Sequence, residues 1–202
     1  GVFLLEGYFV KIAHTVRAAF VAVAALSLAA CGINSVPAAE EEAKAKWADV
    51  EAQFQRRANL NPNLAEVAQG SAENEQTILR EVTEARARAT SVQISADNLG
   101  DAEAMENFAA AQGQIGAGLG RLLASFEAYP DIKSNQNFLA LQSQLEGTEN
   151  RIAVAIRDYN EAVRAYNTTI RTFPDTIGAN IIHGAEPITP YSAVTPGADE
   201  AP

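Results

Sequence analysis

Apolar residues return at intervals of three and four along most of the chain, and the longest such run covers residues 134–173. Phe138, Leu141, Leu145, Thr148, Ile152, Ile156, Tyr159, Val163, Tyr166, Ile170 and Phe173 form one stripe there. The spacing predicts a single helix of about 40 residues, roughly 60 Å long, with Ser134 as its N-cap and Pro174 as its stop. Two successive steps of four, from Thr148 to Ile156, read as a stutter that locally relaxes left-handed supercoiling. The end of the run is a literal repeat: Tyr159, Asn160, Val163 and Arg164 return seven residues later as Tyr166, Asn167, Ile170 and Arg171. A repeat of this kind specifies a packing seam, not a reaction.

The same rhythm predicts three further helices. Residues 40–59 place Trp47, Val50, Phe54 and Arg57 on one stripe. Asn61 then caps a second helix whose first position is Pro62, where the missing N–H costs nothing. Its stripe through Leu64, Val67, Ser71, Asn74, Ile78, Val82, Ala85, Ala89 and Val92 is thin and partly polar, and it ends near Ser95. Asp101 caps a third helix, with Met105, Phe108, Gln112, Ile115, Leu119, Leu122, Phe126 and Tyr129 running into Pro130. Short links at residues 60–62 and 130–133 make neighbours antiparallel, so the expected fold is all-α, an elongated antiparallel up-and-down bundle of four helices over residues 40–183. Ile177, Ile181 and Ile182 are expected to dock on it. Residues 184–202 are dominated by Pro, Ala, Gly and Thr with isolated apolar positions, which predicts a disordered tail.

The N-terminal region changes the picture from a bundle to a tethered bundle. Lys11, His14 and Arg17 form a weakly basic lead, residues 18–30 are a run of mostly small apolar side chains with Ser27 within it, and Leu28, Ala29, Ala30, Cys31 and Gly32 close it as a lipobox. A run of ~13 residues is too short for a permanent span of roughly 20, which favours a cleaved signal. Residues 1–30 are thus expected to be a lipoprotein signal peptide, Cys31 the lipidated residue and 31–39 a tether. The residues before Val10 do not resemble a signal lead, and translation is expected to start near Val10. Because Gly32 follows the cysteine, the expected destination is the periplasmic face of the outer membrane if the host is Gram-negative.

Charge narrows the partners. The formal net charge is −10, with no basic cluster carrying interleaved aromatics, so nucleic acid is excluded as an expected partner. An acidic chain gains nothing from anionic headgroups, which leaves attachment to acyl chains on Cys31. Chemistry is sparse. The two histidines, His14 and His183, lie in the signal and at the tail boundary, and Cys31 is the single cysteine. No catalytic residue, metal cluster or cofactor is expected. Gly113, Gly116, Gly118 and Gly120 lack a preceding strand and read as close helix contact in place of a phosphate loop. Glu146 and Glu149 flank Gly147 and read as a solvated face. Arg157, Arg164 and Arg171, seven apart beside Asn160 and Asn167, are the candidate interaction stripe; pairing with acidic residues of a neighbouring helix is the alternative. Asn160 and Asn167 are placed to bond across helices, while Tyr159 and Tyr166 bury rings and direct hydroxyls outward.

Several separated blocks carry a family resemblance. They are Phe54, Gln55, Arg56 and Arg57; then Asn61, Pro62, Asn63, Leu64 and Glu66; a Y-P-x-x-K-x-N-x-x-F block from Tyr129 to Phe138; L-E-G-T-E-N-R-I from Leu145; and Y-N-x-x-V-x-x-Y-N from Tyr159. Together, over residues 46–174, they resemble the LemA family. The resemblance implies a helical bundle on a membrane-tethering N-terminus and supplies no catalytic residues. Many relatives keep a transmembrane helix where this chain has a lipobox, and a family motif of Asp-Leu-Ile-Pro-Asn-Leu here reads Asn59, Leu60, Asn61, Pro62, Asn63, Leu64. The expected function is that of a non-enzymatic, lipid-anchored structural or adaptor module of the bacterial envelope, binding an envelope protein or copies of itself. The alternative is a module that holds an apolar ligand or lipid in the bundle near the glycines and Gln112.

Overall fold

The computed structural model describes residues 2–60, 73–127, 129–130 and 135–193, with the side chains of 2–13, 21–33 and 73–75 outside the description. The described residues are all-α. Helix α1 spans Val2–Asn59, α2 Glu73–Ser91, α3 Ala102–Phe126, α4 Gln136–Thr169 and α5 Asp175–Gly178. A 3-10 turn at Ala96–Asn98 and a π-helical turn at Ala179–His183 complete the helical segments. The expected bundle of four helices is therefore corrected, because the described residues alone hold more than four. The count failed past α4: the predicted helix to Phe173 ends at Thr169, and the chain then folds into α5 and the π turn. Pro174 has no N–H to offer the Ile170 carbonyl and its ring would clash with that carbonyl in a continuing helix, so the regular helix stops short of it.

Residues 31–39, expected as a tether, lie inside α1, which continues through Pro37 with Val36 fully buried. The predicted start of the second helix at Asn61 and Pro62 and the predicted N-cap Ser134 lie outside the described residues. Asn135 accepts a hydrogen bond from the Asn137 amide at 2.8 Å at the start of α4. Asp101 caps α3 as expected, its carboxylate 3.0 Å from the Ala104 amide.

The chain forms two compact units. The first takes the described residues through Glu41 together with Ala165–Pro187; the second takes the described residues of Glu42–Arg164 and those from Ile188 onward. In the second unit Val82, Ala85 and Ala89 of α2, Ile115, Leu119, Leu122 and Phe126 of α3, and Phe138, Leu141 and Leu145 of α4 make one apolar core. Of the glycines read as sites of close approach, Gly118 is one, since a Cβ there would stand 2.9 Å from Val82 Cγ2. Gly120 is not, having open space around that position. Trp47, Phe54, Phe108, Tyr159 and Tyr191 form an aromatic cluster in the same unit, with ring centroids 5.1–5.9 Å apart.

The seam of α4 matches the heptad expectation except at the stutter. Ile152, Ala155 and Tyr159 are buried while Ile156 is only half-buried, so the buried steps continue as three and four without interruption. The small side chain of Ala155 occupies the seam that the bulkier Ile156 was expected to fill. Phe173, also expected in the seam, lies beyond the helix and is 70% exposed.

In the first unit, Ser35 Oγ donates to Asp175 Oδ1 at 2.8 Å, tying α5 to α1. Gly184, at φ 56°, closes the π turn in the left-handed conformation that glycine adopts without a Cβ penalty. Ile177, Ile181 and Ile182 were expected to dock on the bundle, yet all three are exposed.

Candidate functional site

The Tyr–Asn repeat of α4 grips the C-terminal segment. In the first unit the buried Tyr166 donates its hydroxyl to the Glu186 carbonyl at 3.0 Å. In the second, Tyr159 Oη donates to the Thr189 carbonyl at 2.8 Å. The Asn160 amide holds Tyr191 at both backbone groups, donating to its carbonyl at 2.9 Å and accepting from its N–H at 2.8 Å. The Thr189 amide reaches the Leu99 carbonyl at 2.9 Å, and its hydroxyl the Gly100 carbonyl at 3.1 Å. Residues 184–193 carry no helix yet are held in place, with Ile188 and Tyr191 buried. The expected disorder of the tail is corrected for this stretch; residues 194–202 lie outside the described residues. Composition hid the pattern, because two apolar side chains three residues apart suffice when backbone groups supply the remaining bonds.

Burial pushes the Tyr159 phenol up and the Tyr191 phenol up to about 12, Arg57 opposing and Glu149 reinforcing the shift at Tyr191. A phenol whose folded value exceeds its unfolded value of 10.0 stabilises the fold fully below that pH and loses the contribution as pH rises through about 12. Thermal stability measured in steps across this alkaline window should therefore fall, and Tyr191→Phe should remove one part of the late phenolate absorbance while the part due to Tyr159 remains.

A second constellation lies at the polar positions of two apolar stripes. Arg57, 4% exposed, donates through Nη2 to the Gln112 carbonyl at 2.7 Å and to Gln112 Oε1 at 2.8 Å, and through Nη1 to Glu149 Oε1 at 3.3 Å. Its guanidinium carbon stands 5.0 Å from the Phe54 ring centroid, and its Nε is buried with no hydrogen-bond partner. The sequence placed Arg57 and Gln112 on their stripes without pairing them. Two polar residues at core registers of different helices were the available signal.

Glu149 also lines a cleft of about 510 Å³ between α3 and α4, with Gly116, Leu119, Gly120, Leu123 and Leu145 among its walls. A second cleft, of about 350 Å³, lies beside Phe54, Phe108, Gln112 and Ile115, and burial pushes the carboxyl of its lining residue Glu51 up. Among the described residues no group of three or more His, Cys, Asp or Glu side chains is placed to hold a metal ion.

The other expected site residues are scattered. Arg157 and Arg164 are exposed on α4, Arg157 lying 3.2 Å from the neighbouring Asp158, while Arg171 is exposed past the helix end and so leaves the heptad register. Asn167 is half-buried and Cys31 lies within α1, its side chain outside the description. Among the described residues no helix is long and apolar enough to cross a membrane.

Comparison with known proteins agrees with the arrangement of motifs. Magnetosome protein MamQ 2 and magnetosome protein MamQ 1 of Paramagnetospirillum magneticum strain AMB-1 are each 29% identical over 145 residues, 64% of this chain and 53% of theirs. Magnetosome protein MamQ of Magnetospirillum gryphiswaldense is 29% identical over 136 residues, 59% of this chain and 50% of its own. The chain spans about half the length of these relatives. The LemA family profile matches residues 46–202, covering the aromatic cluster, the Arg57 centre and the Tyr–Asn face alike, and the chain belongs to the LemA family.

Proposed function

We propose that this protein is a non-catalytic, lipid-anchored module of the bacterial envelope, attached through acyl chains on Cys31 and serving as a structural or adaptor element. Family membership supports envelope association and the all-helical fold fits a structural role. The observation that carries the adaptor reading is the division of α4 into two faces. One face is consumed by the core and by residues 186–191, whereas Arg157 and Arg164 remain exposed seven residues apart on a chain of net charge −10. Two exposed cations at heptad spacing, with Arg171 beyond the helix end, suit an acidic partner helix. Pairing of that kind is screened by salt. The periplasmic face of the outer membrane is the proposed location in a Gram-negative host, on the strength of Gly32 after Cys31.

One set of envelope preparations tests the whole reading, using the parent, Cys31→Ser and the triple reversal of Arg157, Arg164 and Arg171 to Glu. Fatty-acid label should enter the parent and not the Cys31→Ser variant. The triple reversal should keep the helical circular-dichroism signal of the parent while losing a salt-sensitive cross-link to its partner. Label retained without Cys31, or cross-linking unaffected by reversal, sinks the corresponding half of the proposal. The cleft of about 510 Å³ beside Gly116 and Gly120 supports a second reading, a site for an apolar ligand or lipid. Lipid extracted in stoichiometric amount from purified Cys31→Ser protein, after exhaustive detergent washing, would favour it.

A further inference from the structure

Large exposed apolar side chains concentrate in the first unit. Phe173 is 70% exposed, Ile177 45%, Ile181 78% and Ile182 56%, all within ten consecutive residues that fold as a turn, α5 and the π turn. Such a concentration on a small element marks an interaction surface. Its position says which one. The Ser35–Asp175 hydrogen bond fixes the start of α5 against α1 only four residues after Cys31, about 6 Å along a helix at 1.5 Å per residue. The same bond occupies the one carboxylate of the segment, leaving Phe173 to Ile182 otherwise free of acidic groups.

From this placement we propose that Phe173, Ile177, Ile181 and Ile182 insert into the lipid interface beside the Cys31 anchor, forming a second, non-covalent membrane contact. The proposal rests on the anchored reading given above. The acyl chains on Cys31 hold the protein at one point, and a neighbouring apolar contact adds buried apolar area there and fixes how this unit meets the bilayer. Ile177 and Ile181 are four residues apart, about one helical turn, so both reach the same depth as a shallow insertion demands. An overall acidic chain gives this contact no electrostatic help, so it should work on zwitterionic lipid and persist in high salt.

The test uses the full chain, purified from membranes and reconstituted into phosphatidylcholine vesicles whose acyl chains are brominated at shallow positions. Ile181→Trp places a reporter at an exposed site where substitution disturbs no packing. The native Trp47, fully buried in the second unit, is the internal control. In vesicles that float with the protein, bromine should quench the added emission strongly, in low and high salt alike, and leave the Trp47 emission of the parent unchanged. Co-floating protein with no quenching at position 181 overturns the insertion and leaves the anchor standing. Failure to float overturns both. A blue shift of the reporter's emission that depends on protein concentration, without lipid quenching, assigns the patch to a second copy of the chain and also overturns the proposal.

Discussion

Trp47→Ala is expected to be among the most damaging single substitutions in the second unit, costing about 3–5 kcal/mol. The indole is fully buried, with ring centroids 5.3 Å from Phe108 and 5.1 Å from Tyr159, so its removal opens a cavity bounded by two other helices. Its Nε1 also donates to the Ile94 carbonyl at 3.3 Å, fixing the chain that leaves α2. Truncation strips an acceptor of its partner as well as removing apolar surface. Trp47→Phe keeps most of the ring contact and loses the hydrogen bond, so it should cost only about 1–2 kcal/mol. Against a typical total stability of about 5–15 kcal/mol, the alanine variant should show a clearly lowered urea midpoint by circular dichroism. A midpoint no lower than that of Leu139→Ala, at a half-exposed position, would show that the aromatic cluster is not where this unit keeps its stability.

Damage at Trp47 should also reach the C-terminal segment, because Tyr159 stands between the indole and the Thr189 carbonyl. The sequence announced half of that linkage. Steps of three and four located α3 and α4 and the residues each buries, and a heptad repeat marked Tyr159 and Tyr166 as special. What those tyrosines hold was not legible. Residues 185–191 are bound chiefly through backbone carbonyls and amides, which no side-chain pattern encodes. The stutter failed for a related reason: hydrophobicity favours Ile156 over Ala155, but seam geometry rewards position and small size. Beyond Thr169 the periodicity continued into Phe173, and only the steric demand of Pro174 signalled that the helix would yield to short turns.

The Arg57 centre was legible as two anomalies and illegible as a pair, and it sets the second large effect. Arg57→Ala should cost about 2–4 kcal/mol, since it empties a packed position and leaves the Gln112 carbonyl and side-chain oxygen without their donor. The carboxylate it abandons is 48% exposed and returns to water at little cost. Removal of the other partner is not symmetric with this. Glu149→Ala leaves a guanidinium that is 4% exposed, already has one unpartnered N–H, and keeps only neutral acceptors and the face of Phe54. An uncompensated buried charge is the costly outcome of breaking such a pair, and about 1–3 kcal/mol is expected here even though Glu149 itself faces solvent. The cycle closes with Arg57→Met, which keeps the volume and removes the charge. In that background Glu149 is one more exposed carboxylate, and Glu149→Ala should change stability by no more than about 0.5 kcal/mol. If urea titrations give the same loss for Glu149→Ala in both backgrounds, the carboxylate acts on something other than Arg57, and the wall of the cleft beside Gly116 becomes the place to look.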